Sequence, residues 1–143
     1  MTGNVAIRRM SKEDYDEALA LWVTCGGMSL RSVEDSRAGI AAFLERKPDS
    51  CFAAEADGKV VGTILAGNDG RRGYLYHVAV CGAYRNRGIG TDLVHHALKA
   101  LRKAGIRKTA LVVLENNLDG NEFWEHVGFT VREDLIYRNM AIS

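Results

Sequence analysis

The sequence predicts an α/β fold of the α+β type, in which a mixed, largely antiparallel sheet of six to seven strands carries helices on both faces. Three observations lead to this fold class. Strand-like and helix-like apolar periodicities alternate along the chain, Asp57-Gly58 gives a strong hairpin signal, and one late strand is an unbroken apolar run. The length of 143 residues suits a single domain spanning 1–143.

The first third of the chain is predicted to form one strand and two helices. The stretch "NVAIRRM" alternates as a strand, and Ser11 then opens a capping box with Asp14 ahead of a helical apolar pattern. A second helix is expected to begin near Ser32 and to end at Pro48.

The middle of the chain is predicted to be an antiparallel meander. "SCFAAEA" meets "KVVGTILAG" across Asp57-Gly58, and the polar turn "NDGRRG" leads into "YLYHVAV". We interpret Arg71-Arg72 in that turn as a solvated hairpin tip.

The last third is predicted to contain two helices and the remaining strands. An amphipathic helix ends at Gly105, and "KTALVVL" has the pattern of a strand covered on both faces. A short helix from about Asn121 to Val127 stops at Gly128, and "FTVREDLIYRNMAI" supplies one or two last strands.

Composition excludes several classes of function. Apolar residues make up 47% and charged residues 26%, as in soluble globular proteins, and a net charge of +1 gives no basic field for nucleic acid. We see neither a signal peptide nor a membrane span. Cys25, Cys51 and Cys81 form no CxxC pair, so we expect a cytoplasmic protein with no disulfide framework and no metal.

A basic, glycine-spaced turn, "YRNRGIGTDL" at 84–93, stands between the strand "HVAV" and the amphipathic helix. The first N–H groups of a helix lack internal partners, and the helix dipole adds positive charge there. Gly88 and Gly90 let an anion approach the backbone, while Arg85 and Arg87 add charge. The turn therefore predicts a phosphate cradle.

Two well-known nucleotide motifs do not fit this turn, and a second motif lies further along. Leu93 stands where a dinucleotide fingerprint needs a third glycine, and the turn lacks the Gly-Lys-Ser/Thr of a P-loop. The second motif, "ENNLDGNEFWEHVGF", has Asn117 seven residues before Trp124, with Gly128-Phe129 following.

Together these two motifs resemble the GNAT superfamily of acetyl-CoA-dependent N-acetyltransferases, and the resemblance covers almost the whole chain. That family carries Arg/Gln-x-x-Gly-x-Gly/Ala after its fourth strand, here Arg85 to Gly90, and the Asn–aromatic–Gly-Phe pattern after its fifth. The resemblance implies a sheet splayed between strands 4 and 5. It also implies acetyl-CoA as co-substrate, with direct attack by a primary amine in a ternary complex and no metal.

The resemblance further implies a cofactor site made of the fourth strand, the basic turn and the second motif. The residues carried over are Val78, Ala79, Val80, Arg85, Asn86, Arg87, Gly88, Ile89, Gly90, Thr91, Asn117 and Trp124.

The acid and base that many relatives use are missing here. Trp124 occupies the position of their tyrosine, and Val112 that of a glutamate found in protein N-terminal acetyltransferases. Other relatives place such groups on the fourth strand, which makes Tyr76 and His77 the catalytic candidates. Strand alternation puts Tyr76 on the same face as Val78 and His77 on the opposite face, unless a bulge resets the parity.

The acceptor site of this family is built mainly by the first two helices, their connection and the last hairpin. The implied acceptor-binding residues are Trp22, Met28, Leu30, Arg31, Tyr74 and Tyr137. A small-molecule or amino-acid-like amine is the first expectation, a protein lysine or N-terminus the second. A homodimer is consistent with the family.

Two other hypotheses remain open. The missing tyrosine and glutamate also fit a non-catalytic acetyl-CoA sensor or regulatory module. The cradle alone would fit a nucleotide-binding module without acyl chemistry.

Overall fold

The computed structural model describes residues 5–25, 33–47 and 49–142. Its strands form one sheet in the order β1-β2-β3-β4-β5, in which only the β4–β5 pair is parallel. The elements are β1 (Val5–Arg9), α1 (Tyr15–Cys25), α2 (Arg37–Arg46), β2 (Phe52–Ala56), β3 (Lys59–Asn68), β4 (Gly73–Val80), α3 (Ile89–Lys103), β5 (Thr109–Ala110) and α4 (Leu118–Val127). The predicted class and the mixed sheet are confirmed, with five strands in this part of the chain rather than six to seven.

Helices cover both faces of the sheet, as predicted. On one face, called the α3 face, the core contains Leu93 and Val94 of α3 and Trp124 of α4. On the other, called the α1/α2 face, it contains Trp22 of α1 and Leu44 of α2. The sheet therefore separates two apolar cores, and its central strands β3 and β4 contribute side chains to both.

Local chemistry explains most of the element boundaries. Asp57 and Gly58 have φ values of 51° and 75°, which make the tight turn that matches the twist of β2 and β3. At the next turn the Asp69 carboxylate accepts from the backbone N–H of Arg71 and of Arg72 at 2.8 Å each. The polar hairpin tip predicted there is confirmed.

The second helix begins later than the sequence predicted. Its N-cap is Ser36, whose hydroxyl accepts from the N–H of Gly39 at 3.1 Å, and a short 3-10 turn at Val33–Asp35 precedes it. The predicted boundaries, Ser32 and Pro48, lie outside the described residues.

The strand predicted from "KTALVVL" is wrong in length and in burial. β5 has two residues, and the chain after it alternates: Leu111 and Val113 pack on the α3-face core, while Val112 and Leu114 are 57% and 55% exposed. An apolar run shows that a segment is apolar, but whether a second layer covers it depends on the rest of the fold.

The one or two strands predicted from "FTVREDLIYRNMAI" are not found either. The described residues from 129 to 142 form no strand, and from Thr130 onward they are exposed. Because β5 ends at Ala110, it offers these residues no extended edge to pair with.

None of the helices in the described part of the chain is long and apolar enough to cross a bilayer.

Candidate active site

The sheet opens where β4 and β5 part. Their pairing is confined to Gly73–Thr109 and Tyr74–Ala110, although β4 continues to Val80. The second half of β4 therefore faces this opening without a ladder to β5, which confirms the predicted splay. A cavity of about 1010 Å³ lies against it and is lined by residues 78–80.

The N-terminus of α3 points its backbone toward the same cavity. Gly88 caps the helix in the left-handed conformation, with φ at 80°, and the first helical bond runs from the N–H of Asp92 to the Gly88 carbonyl at 2.9 Å. The N–H groups of residues 89–91 precede that bond and have no partner within the helix. A Cβ on Gly90 would lie 3.2 Å from the Phe123 ring, so this glycine also lets α4 approach α3.

The two predicted arginines of the turn lie in different places. The Arg85 guanidinium donates from Nη2 to the Cys25 carbonyl at 2.8 Å and from Nε to the Val80 carbonyl at 3.2 Å, so it joins the ends of α1 and β4. The Arg87 guanidinium lies over the Tyr84 ring, 5.1 Å from its centroid.

The second motif also reaches the cavity. Asn117 caps α4, its Oδ1 accepting from the N–H of Gly120 at 2.9 Å, and Trp124, about two turns later, packs with 8% of its surface exposed. Of the predicted cofactor residues, all but Arg87 line the cavity. The lining residues that the sequence did not indicate as cofactor contacts are Thr24, Cys25, Tyr84, Asp119, Gly120, Glu122, Phe123 and His126.

Cys25, at the end of α1, has a more acidic thiol than usual. The Thr24 hydroxyl, 3.4 Å from Sγ, and the N–H of Gly82 lower the pKa of Cys25, and the nearby Arg85 charge contributes in the same direction. By contrast, burial raises the pKa of the Cys51 thiol to about 11.

A β-bulge interrupts the pairing of β3 and β4 beside the splay. Leu65 pairs with Tyr76, but the next pair is Thr63 with Ala79, so Ile64 opposes both His77 and Val78.

The extra residue changes which side chains share a face. His77 has φ at 52°, and its ring meets Trp22 on the α1/α2 face, where the Tyr76 ring meets Phe43. Val78, in contrast, packs on the α3-face core. The simple alternation that placed Tyr76 with Val78 is therefore wrong, and the structure brings the two catalytic candidates to one face.

A network of polar contacts surrounds His77. Its Nε2 lies 2.7 Å from Asp35 Oδ1, with 15% and 10% of the two side chains exposed. Its carbonyl accepts from the Thr63 hydroxyl at 2.8 Å, and that hydroxyl accepts from Trp22 Nε1 at 2.8 Å. Neither Asp35 nor Thr63 was indicated as a functional residue by the sequence, because only the folded chain brings each of them to His77.

Tyrosines form the outer part of the α1/α2 face beside His77. The Tyr74 and Tyr76 rings lie 4.8 Å apart, and Tyr76 is 41% exposed. Burial raises the pKa of Tyr76, and the charges of Tyr137 and Glu34 add to the shift. Burial and Tyr137 likewise raise the pKa of Tyr74, so both phenols are protonated at neutral pH.

The predicted acceptor residues have mixed outcomes. Tyr74 and Tyr137 lie near Tyr76 on this surface. Trp22 has no exposed surface, so the direct acceptor contact predicted for it does not fit its position in the core. Met28, Leu30 and Arg31 lie outside the described residues.

In 5–25, 33–47 and 49–142, no group of three or more His, Cys, Asp or Glu side chains is placed to hold a metal ion.

Comparison with known proteins points to one family. The profile of the "Acetyltransferase (GNAT) family" matches residues 9–129. An acetyltransferase of Photorhabdus laumondii is 37% identical over 111 residues, which cover 78% of this chain and 76% of that protein.

Two solved structures share the fold. PaiA N-acetyltransferase from Thermoplasma acidophilum, in complex with coenzyme A, superposes with a TM-score of 0.77 at 23% identity, covering 91% of this chain and 92% of that one. The aminoglycoside N-acetyltransferase AAC(6')-Iy, in complex with a bisubstrate analogue of CoA and acetylneamine, gives 0.72 at 20% identity, covering 98% and 100%.

Proposed function

Because this chain belongs to the acetyltransferase (GNAT) family and is an acyltransferase, we propose that it transfers an acetyl group from acetyl-CoA to a primary amine. The observation that carries the proposal is the cavity that joins the splayed edge of β4 to the N-terminus of α3. It offers backbone groups along one wall and unpartnered amides at one end.

The residues present fit coenzyme A. The amides of residues 89–91 suit a pyrophosphate, and the left-handed Gly88 leaves the approach to them clear of side chains. The free edge of β4 at 78–80 suits the amide-bearing pantetheine arm, because an unpaired strand edge presents both donors and acceptors. When bound, acetyl-CoA supplies an activated thioester.

The chemistry requires one proton to leave the amine and one to reach the departing thiolate. The amine nitrogen bonds to the carbonyl carbon and the carbon–sulfur bond breaks. His77, in contact with the Asp35 carboxylate, is our candidate for the group that takes the amine proton. Tyr76, whose phenol is protonated at neutral pH, is our candidate donor to the thiolate.

We propose a small-molecule or amino-acid-like amine as the acceptor. The tyrosines at 74, 76 and 137 form an aromatic surface beside His77, and Glu34 lies close enough to influence Tyr76. Aromatic faces and a carboxylate together favour a cationic amine. The structural similarity to an aminoglycoside acetyltransferase is in keeping with such an acceptor.

A second candidate function is a non-catalytic acetyl-CoA-binding module. The observation that favours it is Trp124, which lines the cavity where many relatives carry tyrosine, because an indole N–H donates hydrogen bonds but does not release its proton near neutral pH.

Binding is tested with a charge pair at position 91. Thr91→Glu places a carboxylate at the third position of α3, where it favours the helix but repels phosphate, and Thr91→Gln is the neutral match. Calorimetry with acetyl-CoA should show affinity about tenfold or more weaker for Glu than for Gln. Equal affinities would contradict the proposal that this turn binds the pyrophosphate.

Turnover is tested by thiol release from acetyl-CoA with a panel of monoamines, diamines, amino acids and short peptides. Acceptor-dependent release supports the transferase, and its rank order identifies the acceptor class. Tight binding of acetyl-CoA with no release across the whole panel would instead support the binding module.

A further inference from the structure

A hydroxyl is buried in the middle of the sheet. Thr63 lies within β3 and has no exposed surface. Burying a hydroxyl is unfavourable unless it is hydrogen-bonded, and the Thr63 Oγ1 has two partners at 2.8 Å, Trp22 Nε1 and the His77 carbonyl.

The directions of these two bonds are fixed by chemistry. An indole N–H can only donate and a carbonyl can only accept, so the Thr63 oxygen accepts from Trp22 and its single proton goes to His77. An apolar side chain of the same shape would make neither of these two hydrogen bonds.

The bond from Thr63 ends on the bulge. Since Ile64 opposes both His77 and Val78, the bulge has one residue more than β3 can pair. The Thr63 hydroxyl supplies a partner for the His77 carbonyl, at a residue whose φ of 52° an L-amino acid rarely adopts.

The positions of the His77 ring and of the backbone at 78–80 both depend on this bulge. The bulge turns the His77 ring onto the α1/α2 face, where it contacts Asp35 and Trp22. It also determines which face of the sheet each side chain of residues 78–80 points to along the cavity wall. A shift of the bulge would move the candidate base and the cofactor-facing backbone together.

We propose that Thr63 is a positioning residue for acetyl transfer, whose hydroxyl holds the β4 bulge in the geometry that the reaction needs. This inference rests on the proposed function. Thr63 does not touch the cavity and acts through the His77 backbone.

The test is a matched pair of substitutions. Thr63→Val keeps the branched shape and removes the hydroxyl, whereas Thr63→Ser keeps the hydroxyl and removes a methyl group. We expect kcat of Thr63→Val to fall roughly tenfold to a hundredfold, as for a small misplacement of reacting groups, and Thr63→Ser to remain near wild type. The Kd for CoA should weaken by a smaller factor than kcat falls, because residues 78–80 along the cavity wall shift with the bulge while the turn at 88–91 is not touched.

A purely structural role predicts something else: both variants would unfold at lower temperature while kcat, measured below unfolding, stayed at the wild-type value. That result would overturn the proposal. So would a Thr63→Ser variant as impaired as Thr63→Val.

A second readout is independent of activity. Amide chemical shifts and hydrogen exchange at residues 77–79 should change in Thr63→Val and be retained in Thr63→Ser. If the wild type binds acetyl-CoA but shows no turnover, the proposed function fails, and these amides still decide the role of Thr63: unchanged exchange in the valine variant would refute it.

Discussion

His77 Nε2 and Asp35 Oδ1 lie 2.7 Å apart, although the two residues are 42 positions apart in the sequence. The contact joins β4 to the 3-10 turn that precedes α2, across the α1/α2 face. As the carboxylate accepts from Nε2–H, it favours the tautomer in which Nδ1 carries the lone pair. The pair therefore orients the ring of the proposed base on the α1/α2 face of the sheet.

Asp35→Asn should lower kcat about tenfold, which corresponds to roughly 1.4 kcal/mol in the barrier. The amide can still accept the hydrogen bond, but it does not stabilise an imidazolium that forms when His77 takes a proton. Steady-state kinetics at saturating acetyl-CoA is the measurement, with NMR of the His77 ring nitrogens as a report on the tautomer. Unaltered kcat in both Asp35→Asn and His77→Gln would exclude His77 as the base.

Tyr76→Phe should lower kcat and leave the affinity for CoA intact, because it removes the hydroxyl of the candidate proton donor and Tyr76 does not line the cofactor cavity. Tyr74→Phe is the matched control, since the two rings are 4.8 Å apart on one surface. We expect the control to act mainly on KM for the amine. Identical kinetic effects in the two variants would assign both tyrosines to acceptor packing alone.

Cys25 should react with iodoacetamide faster than Cys51, and its rate should level off at a lower pH. A lowered pKa gives more thiolate at any given pH, while the raised pKa and full burial of Cys51 keep that thiol protonated and inaccessible. Because Cys25 lines the cavity, CoA should slow its alkylation. Peptide mapping by mass spectrometry distinguishes the two cysteines. An alkylation rate of Cys25 that does not change when CoA is added would show that bound CoA does not cover this side chain.

Gly58→Ala should destabilise the fold by about 1 kcal/mol, since φ is 75° at a position with open space around it. Gly82→Ala serves as the comparison, because an added Cβ there also meets nothing within 4 Å and its φ is not positive. Chemical denaturation measures both. Comparable stability of the two variants would contradict the strain argument for the hairpin turn.

Local signals in the sequence predicted much of this fold. Asp57-Gly58 placed the hairpin, Gly105 and Gly128 ended helices α3 and α4, and glycine spacing placed the turn at the start of α3. Each of these signals acts within a few residues of where it stands, so it can be interpreted without the fold.

Features that depend on partners elsewhere in the chain were missed or wrong. The apolar run after Thr109 does not say whether one layer or two will cover it, and "FTVREDLIYRNMAI" alternates without an edge to join. The bulge at His77 has no local sequence signature. Because simple alternation takes no account of it, the prediction that Tyr76 and Val78 share a face was wrong. Asp35 and Thr63 gave no functional signal because each acts through a partner distant in sequence, the His77 ring for Asp35 and the His77 carbonyl for Thr63.

Arg85 joins two elements that are far apart in the sequence. Its guanidinium donates to the carbonyls of the last residue of α1 and the last residue of β4, at the point where the chain enters the glycine turn before α3. A displacement of that turn would therefore be passed on to α1, which packs on the α1/α2 face of the sheet. Under the proposed function, occupancy of the donor cavity and the position of α1 are mechanically linked through a single side chain.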